Sequence, residues 1–467
     1  MTDQDFQRWL REPSAARLLL VDLHHAEGVE RVANGAYITH PDDDPPNTPY
    51  LDVLSEAVDI TQRLDAQPSW GDLALIDDGQ LAHWRAYQWR GHEVVMRLGS
   101  PDWPLRDFRV IARQQSGAIL SADRDRLTLG LYDRSALLDQ PIEREALPNG
   151  EAAPLVLGRV FCAPAVRVDS QSLLYRVSWL PVTRLVVRDG NGPEIAHTSR
   201  YATGSFIARA YSPRALCCDV LEPHQTPAQI VQWVAAQYGL SVHSGGAAQA
   251  ETLPEITLGL RYDGEVTGRQ ILDDVCQAIG GYWSIDINGQ LRVQRLTMPE
   301  QVDLTLAADD LEQGSIQLDR LESPWRSLTL RYDRNYAPMN DIAGSIQDNQ
   351  PALVERLSEE WRAVTRSLDD VTTEDDLDLN DFPLAQPKTL STVLTQKAEA
   401  EQELIRRLRL HAKRREVWSM TAFLPPFELS PGVAVRVRHP ALAERIGRVI
   451  SVSASPTSGR TSLEIWY

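Results

Sequence analysis

Hydrophobic positions along the chain recur at two spacings, and residues 267–296 carry both side by side. Ile271, Leu272, Val275 and Ile279 are three and four apart, which places them on one face of a helix. Thr267 and Gln270 precede that stripe as a capping box. The Thr hydroxyl accepts from the third backbone N–H of the helix, and the Gln side chain reaches back to the cap. Gly280-Gly281 ends the helix, because glycine takes the left-handed conformation without a Cβ clash. Two strand-like runs follow, 282–287 and 290–296. Asn288-Gly289 joins them, a dipeptide suited to a two-residue type I′ turn. The segment reads as a helix packed on a hairpin.

The same criteria divide the rest of the chain. A short helix over 2–11 stops before Pro13, 16–23 and 29–38 read as strands, and 42–49 reads as a loop of acids and prolines. From 50 to 139 short apolar runs alternate with turn signals, around one small helix at 80–87. A polar linker spans 140–154, and 156–211 is again strand-like. Thr226-Pro227 opens a helix through Tyr238, with Gly239 just past its end and Ile230, Val234 and Tyr238 on one face. After renewed β structure at 323–336, a helical stretch at 351–366 leads into an acidic segment, and a long helix covers 391–413. Four strands close the chain at 417–424, 433–439, 448–453 and 461–467. Val433, Val435 and Val437 alternate with Ala434, Arg436 and Arg438, as on a strand with one buried and one wet face.

The predicted fold is α+β, β-rich and multidomain: antiparallel β-barrel or sandwich domains with a helix–hairpin α+β module. The divisions are an N-terminal β-rich domain (1–140), a central β connector (155–212), the α+β module (213–300), and a C-terminal barrel-like domain with a long helix (301–467). For 467 residues about three domains is the prior, and 29 prolines with 27 glycines favour a turn-rich β architecture over a bundle. Residues 256–263, 328–333 and 127–133 echo one another around Ile-Thr-Leu or Leu-Thr-Leu and Tyr-Asp. Either a duplicated β-domain or common strand composition explains this.

A net charge of −18 argues against nonspecific attraction to DNA or anionic lipid as a global driving force. Arg406, Arg407, Arg409, Lys413, Arg414 and Arg415 form a basic run that ends the long helix, with Glu399, Glu401 and Glu403 earlier, an order that suits the helix macrodipole. The expectation is a solvated helix end, or else contact with an acidic surface such as residues 369–381 of a neighbouring copy. Aromatic residues for base stacking are not interleaved, so specific nucleic-acid binding is not expected.

Candidate chemistry is sparse. Cys162, Cys217, Cys218 and Cys276 form no C-x-x-C pair and read as buried free thiols, in a chain that folds in a reducing compartment. The N-terminus shows no targeting signal, and 18–21 is too short to span a membrane, so synthesis in the cytoplasm with no membrane segment is expected. His92-Glu93 opens like a zinc-protease helix, but Met96 stands where the second histidine belongs and the stretch reads as a strand. His24 and His25 point to opposite faces of a strand. Asp376, Asp378 and Asn380 have calcium-loop spacing, yet Asp381 and Pro387 occupy the Gly and Glu positions. Nucleophile-elbow, Walker and dinucleotide glycine motifs are absent. No catalytic, cofactor-binding or metal-ligating residue is named, and no cofactor is expected. Trp70, Trp84, Trp89 and Trp103 cluster in the first domain, where core or subunit-interface roles compete with stacking on sugar rings.

Thr267-x-x-Gln-Ile-Leu-Asp-Asp-Val-Cys-Gln-Ala-Ile-Gly-Gly-Tyr-Trp-Ser-Ile-Asp-Ile-Asn-Gly-Gln-Leu-Arg-Val resembles a segment of baseplate hub and tail-tip proteins of long-tailed bacteriophages. In that family a short helix precedes a Gly-x-Trp … Asp-Gly-x-Leu-x-Val pattern on a β-domain. Trp70-Gly71-Asp72-Leu73-Ala74-Leu75 with 91–99 resembles their N-terminal β-rich part, 154–161 their central connector, and 432–440 with 447–452 their terminal hairpins. The resemblance implies a non-enzymatic structural component at the virion tail tip. It would link the tail tube to the central spike or fibre and form part of the DNA exit channel. The implied partners are the tail tube or distal tail protein, the tape-measure protein, the spike or fibre protein, and further copies of the chain in a ring, as a homotrimer. The alternative is a virion-associated carbohydrate-binding or cell-wall-degrading protein. A part of a contractile injection machine, which shares the hub fold, is the third reading.

Overall fold

Local signals and observed elements agree best where a cap and an apolar stripe coincide. The computed structural model describes residues 2–12, 14–55, 59–64, 71–123, 125–132, 134–243, 253–286, 288–371, 382–424 and 429–467. Among them are helices α1 (Asp3–Leu10), α2 (Pro227–Gln237), α3 (Gly268–Ile279), α4 (Gly344–Gln347), α5 (Pro351–Ser358) and α6 (Lys397–Leu410). Thr226 with Gln229 and Thr267 with Gln270 make complete capping boxes on α2 and α3, and Gly280 ends α3 in the left-handed region at φ +59°.

An eight-stranded sheet dominates the first part of the chain. It runs from Tyr37–Ile38 through Pro49–Asp52, Gly28–Ala33, Leu18–His25, Glu93–Gly99, Arg109–Ala122 and Arg126–Tyr132 to Gly71–Ile76. Leu18–Val21, the first half of strand Leu18–His25, is apolar without interruption because both of its faces are covered. Leu19, Val21 and Leu23 pack with Phe6 and Leu10 of α1, and Leu18 and Leu20 pack with Tyr37 and Phe108 on the other side. Strand Ile60–Arg63 leaves this region and pairs antiparallel with Ile446–Ala454 near the C-terminus.

Two four-stranded sheets follow and enclose a sandwich core. One has the order Arg184–Arg188, Cys217–Leu221, Leu155–Pro164, Gly259–Tyr262. The other has Val166–Asp169, Leu174–Arg176, Ser205–Ala208, His197–Arg200. Val160, Leu185 and Val220 meet Tyr175 and Phe206 between them, the last two rings stacked at 5.2 Å. The C-terminal part holds a sheet of Leu304–Leu306, Ala434–Val437, Ile446–Ala454, Thr461–Trp466, Arg415–Ala422 and Gln317–Glu322, and a three-stranded sheet of Arg362–Ser367, Ser327–Tyr332 and Pro387–Ser391. The fold is thus α+β and β-rich, and among the described residues no sheet closes into a barrel.

Several expectations change. The helix over 351–366 splits: α5 ends at Ser358, and Arg362–Ser367 becomes a strand paired along its whole length with Ser327–Tyr332. Val364 and Thr365 suit that pairing better than a helix. The long helix shrinks to Lys397–Leu410: Ser391 ends the strand Pro387–Ser391, which joins Ser327–Tyr332 in parallel, and beyond it Thr392 N donates to Arg331 O, Leu394 bridges Leu258 and Thr395 N donates to Thr257 O. The small helix at 80–87 is a 3₁₀ turn, Ala82–Ala86.

The hairpin of Gly281–Ile285 and Leu291–Arg295 is not closed by a type I′ turn. That turn needs positive φ at two residues, and Asn288 is not among the positive-φ residues while Gly289 is, at +74°. Asp286 organises the bend instead. Its carbonyl accepts from Gly289 N at 2.8 Å, its N–H donates to Gln290 O at 2.9 Å, and its carboxylate accepts from the N–H groups of Asn288 and Gln290. Ile287, at the end of the first predicted strand, lies outside the described residues.

Candidate functional site

The C-terminal end of α3 meets the middle of α6, and the joint is built from charge. Glu403 is followed by Arg406 and Arg407 at the three- and four-residue steps that bring side chains together on a helix. Glu403 Oε1 accepts from Arg407 Nε at 2.7 Å and from Arg406 Nη2 at 2.7 Å, and Oε2 accepts from Arg295 Nη2 of the hairpin at 2.5 Å. Glu403 and Arg407 are buried, at 4% and 5% exposure. The remaining donors go to backbone carbonyls, three of them at the end of α3, where the helix leaves them without helical partners, and one just past the hairpin. Arg407 donates to Gln277 O, and to Ala278 O at 3.0 Å. Arg406 donates to Ile279 O at 3.0 Å and to Leu296 O at 2.7 Å. Positive charge thus sits at the negative end of the α3 macrodipole. Burial opposes ionisation of Glu403, but hydrogen bonds and attraction from Arg406 and Arg407 hold its pKa below the usual value. Gly280 completes the fit, since a Cβ there would collide with Arg406 and Glu403.

A cavity of about 510 Å³ opens beside this joint, with Tyr282, Trp325, His411 and Trp466 in its wall together with Arg320 and Lys388. His411 stacks on Trp325 with ring centroids 3.8 Å apart and planes 15° from parallel. Burial, then the charges of Arg415 and Arg407, push the His411 pKa down to about 4. A second cavity, of about 440 Å³, lies on the outer face of the sheet that contains Arg184–Arg188, and Arg159, Arg184 and Leu221 border it.

The basic run at the end of α6 is therefore only partly a solvated surface. Arg407 and Arg415 are buried, and Arg415 donates to Leu410 O at 2.8 Å and lies over the Trp466 ring. The three- and four-residue spacing lets Glu403 and the arginines after it meet, although in the sequence they read only as an arrangement that suits the helix macrodipole. The same spacing on an exposed helix gives an ordinary surface pair, so their burial carried no sequence signal.

The other residues singled out take structural places. Met96 is buried in strand Glu93–Gly99, in keeping with a strand and not a zinc-protease helix. His25 stacks on Tyr87 at 4.1 Å, while His24 is half-buried on the other side of the strand. All four cysteines are buried and free, as expected. Trp84 and Trp89 are core residues, with Trp89 Nε1 donating to Trp84 O at 2.9 Å, and half-buried Trp103 packs on Trp9 at 4.6 Å. Trp70 and residues 374–381, with the calcium-like spacing, lie outside the described residues.

Two histidine–carboxylate pairs were not foreseen, and both carboxylates also hold backbone. Glu222 accepts from His224 Nδ1 at 2.6 Å and from Gly158 N at 3.1 Å. Asp286, which organises the hairpin bend, lies 3.1 Å from His243 Nδ1. Among the described residues no group of three His, Cys, Asp or Glu side chains is placed to hold a metal ion, and no helix is long and apolar enough to cross a membrane.

No protein-family model matches the chain, and no curated protein matches it. Among solved structures it is similar to the tail protein from Neisseria meningitidis MC58, with 10% identity, 97% of each chain covered and a TM-score of 0.48. It is similar to the 43 kDa tail protein of prophage MuSo2 from Shewanella oneidensis, with 12% identity over 96% of this chain and 98% of that one and a TM-score of 0.44. It is also similar to the prophage tail protein gp18 from Listeria monocytogenes EGD-e, with 7% identity over 96% of this chain and 94% of that one and a TM-score of 0.45. At such identities and scores the likeness assigns no role to any residue.

Proposed function

We propose that this chain is a structural component of a bacteriophage tail tip, of the baseplate-hub class, and works by assembly and not by turnover. The observation that carries this reading is the 267–296 unit. Its sequence resembles hub and tail-tip proteins, and the chain anchors its helix–hairpin through the buried Glu403, Arg406 and Arg407 joint. In this reading copies form a closed ring, a homotrimer, between the tail tube and a central spike or fibre, and the ring encloses part of the DNA exit channel. Tape-measure protein and DNA leave through it. A channel that passes DNA must not hold it, and a net charge of −18 supplies a wall that repels phosphate. The four portions divided at about 140–155, 212 and 300 are the units that carry these contacts.

Cryo-electron microscopy of intact particles tests this directly. The expected result is density for the chain as a closed ring around a shared lumen at the tail tip. Separate copies on the tail exterior, with no common lumen, overturn the hub assignment and leave an accessory adhesin in its place.

A further inference from the structure

The sheet that contains Arg184–Arg188, Cys217–Leu221 and Leu155–Pro164 has one face in the sandwich core and one face only half covered. Register partners in an antiparallel ladder point to the same side. Arg159 and Arg184 are both paired with Leu221, so the three side chains stand in a row across three strands. Val160, Leu185 and Val220 point the other way, into the core. Along the outer face the next group is satisfied internally: Arg188 binds Asp219 at 3.0 Å and Glu194 at 3.2 Å. Beyond it Phe161 and Cys217 lie under Ile342, Ile346 and Leu357, from the segment that carries α4 and α5. The Arg159–Leu221–Arg184 row borders the 440 Å³ cavity, which is walled on other sides by Arg356 of α5 and by Gln225, Thr257 and Gln396.

Arg159 and Arg184 are exposed, and among the described residues neither guanidinium has an ion pair or hydrogen bond. The other two arginines of the cavity are committed, Arg188 as above and Arg356 to Asp333 at 2.8 Å. Two free guanidiniums flanking a leucine suit a peptide that alternates carboxylates with apolar side chains, because Arg pairs with carboxylate through parallel N–H donors. The chain itself contains one such stretch. From exposed Asp369 and Asp370 it continues Glu-Asp-Asp-Leu-Asp-Leu-Asn-Asp over 374–381, with seven acids and no Lys or Arg in thirteen residues.

We propose that the Arg159–Leu221–Arg184 face is an interface between copies, which receives the acidic stretch 369–381 of a second copy of this chain. One copy gives the stretch and the next gives the face, so the contact is head-to-tail, the kind that closes into a ring when the rotation allows. The inference rests on the ring reading proposed above, and it names the contact that joins neighbours.

The test uses the full chain and a fluorescein-labelled peptide of residues 369–381, followed by anisotropy at low salt. Saturable binding is expected. It should weaken roughly tenfold or more in the Arg159→Glu/Arg184→Glu double variant, and on raising salt to about 0.5 M. A peptide with Asn and Gln in place of every acid should not bind. Arg159→Gln/Arg184→Gln, matched to the parent in melting temperature, guards against misfolding and should also lose binding.

Absence of saturable binding, or binding indifferent to both arginine pairs, overturns the proposal. So does binding that tightens roughly tenfold or more when the host chain's own acids at 374–378 are neutralised, because the face would then be filled by its own chain. Failure here is separable from failure of the ring. A ring in particles whose copies meet elsewhere sinks only the contact. Peptide binding by a chain found on the tail exterior sinks only the ring.

Discussion

Glu403 and Arg407 lie one turn apart on α6 and meet at 2.7 Å, both almost out of water, beneath the last carbonyls of α3. Their neighbours Arg295 and Arg406 bind the same carboxylate, so one buried negative charge answers three positive ones. Glu403→Gln should therefore cost about 3–5 kcal/mol, the range for breaking a buried pair by removing one partner. Denaturant unfolding measures it. A loss under about 1 kcal/mol for Glu403→Gln would mean that the joint does not hold the modules together.

His411 makes stability fall on mild acidification. Its folded pKa is about 4 against an ordinary 6.5, because burial and then Arg415 and Arg407 disfavour the cation. Between those values the unfolded chain binds a proton that the folded chain does not, so this stability is complete above 6.5 and is lost as pH falls toward about 4. His411→Gln should flatten the dependence of melting temperature on pH in that window. An unchanged profile would remove His411 as its source.

A second acid-sensitive group acts at lower pH. Burial opposes ionisation of Glu416, but hydrogen bonds from Arg445, Trp418 and Arg414 bring its pKa from 4.5 to about 2. Its contribution is present above 4.5 and is lost as pH falls through about 2. Glu416→Gln should leave the His411 window intact and reduce the loss below 4.5. Melts of the two single variants and the double variant separate the groups.

The helix–hairpin unit should behave as a stability determinant. Gly289 has φ +74°, so Gly289→Val places a β-branched side chain in the left-handed region and should cost on the order of 1–3 kcal/mol. Thr267 accepts from Gln270 N at 3.2 Å, and Thr267→Ala should cost about 1 kcal/mol. The melting temperatures should fall in that order. A neutral Gly289→Val would contradict the left-handed turn.

The purified chain should show no turnover on peptidoglycan or host polysaccharide. Trp103→Ala should leave retention on host polysaccharide unchanged, since Trp103 packs against Trp9 and Phe6. Turnover that vanishes with one Asp→Asn or Glu→Gln substitution would retire the structural reading.

What the sequence determined by itself was local. Capping boxes, the Gly280 stop and the two hydrophobic spacings act over a few residues, so α2, α3, their ends and the four closing strands follow from neighbours along the chain. Where two local preferences were close in energy, partners distant in sequence chose between them. Ser327–Tyr332 drew Arg362–Ser367 out of a helix and took Pro387–Ser391 beside it. Asp286 replaced the Asn-Gly turn by offering its carboxylate to two backbone N–H groups. Tertiary structure alone decided which charges are buried. Glu403 and Arg407 have the spacing of a surface pair, and Arg159 and Arg184 carry no signal that Leu221 stands between them. Burial and strand register depend on what packs from elsewhere in the chain. In this molecule they separate the charges held inside it from those left exposed.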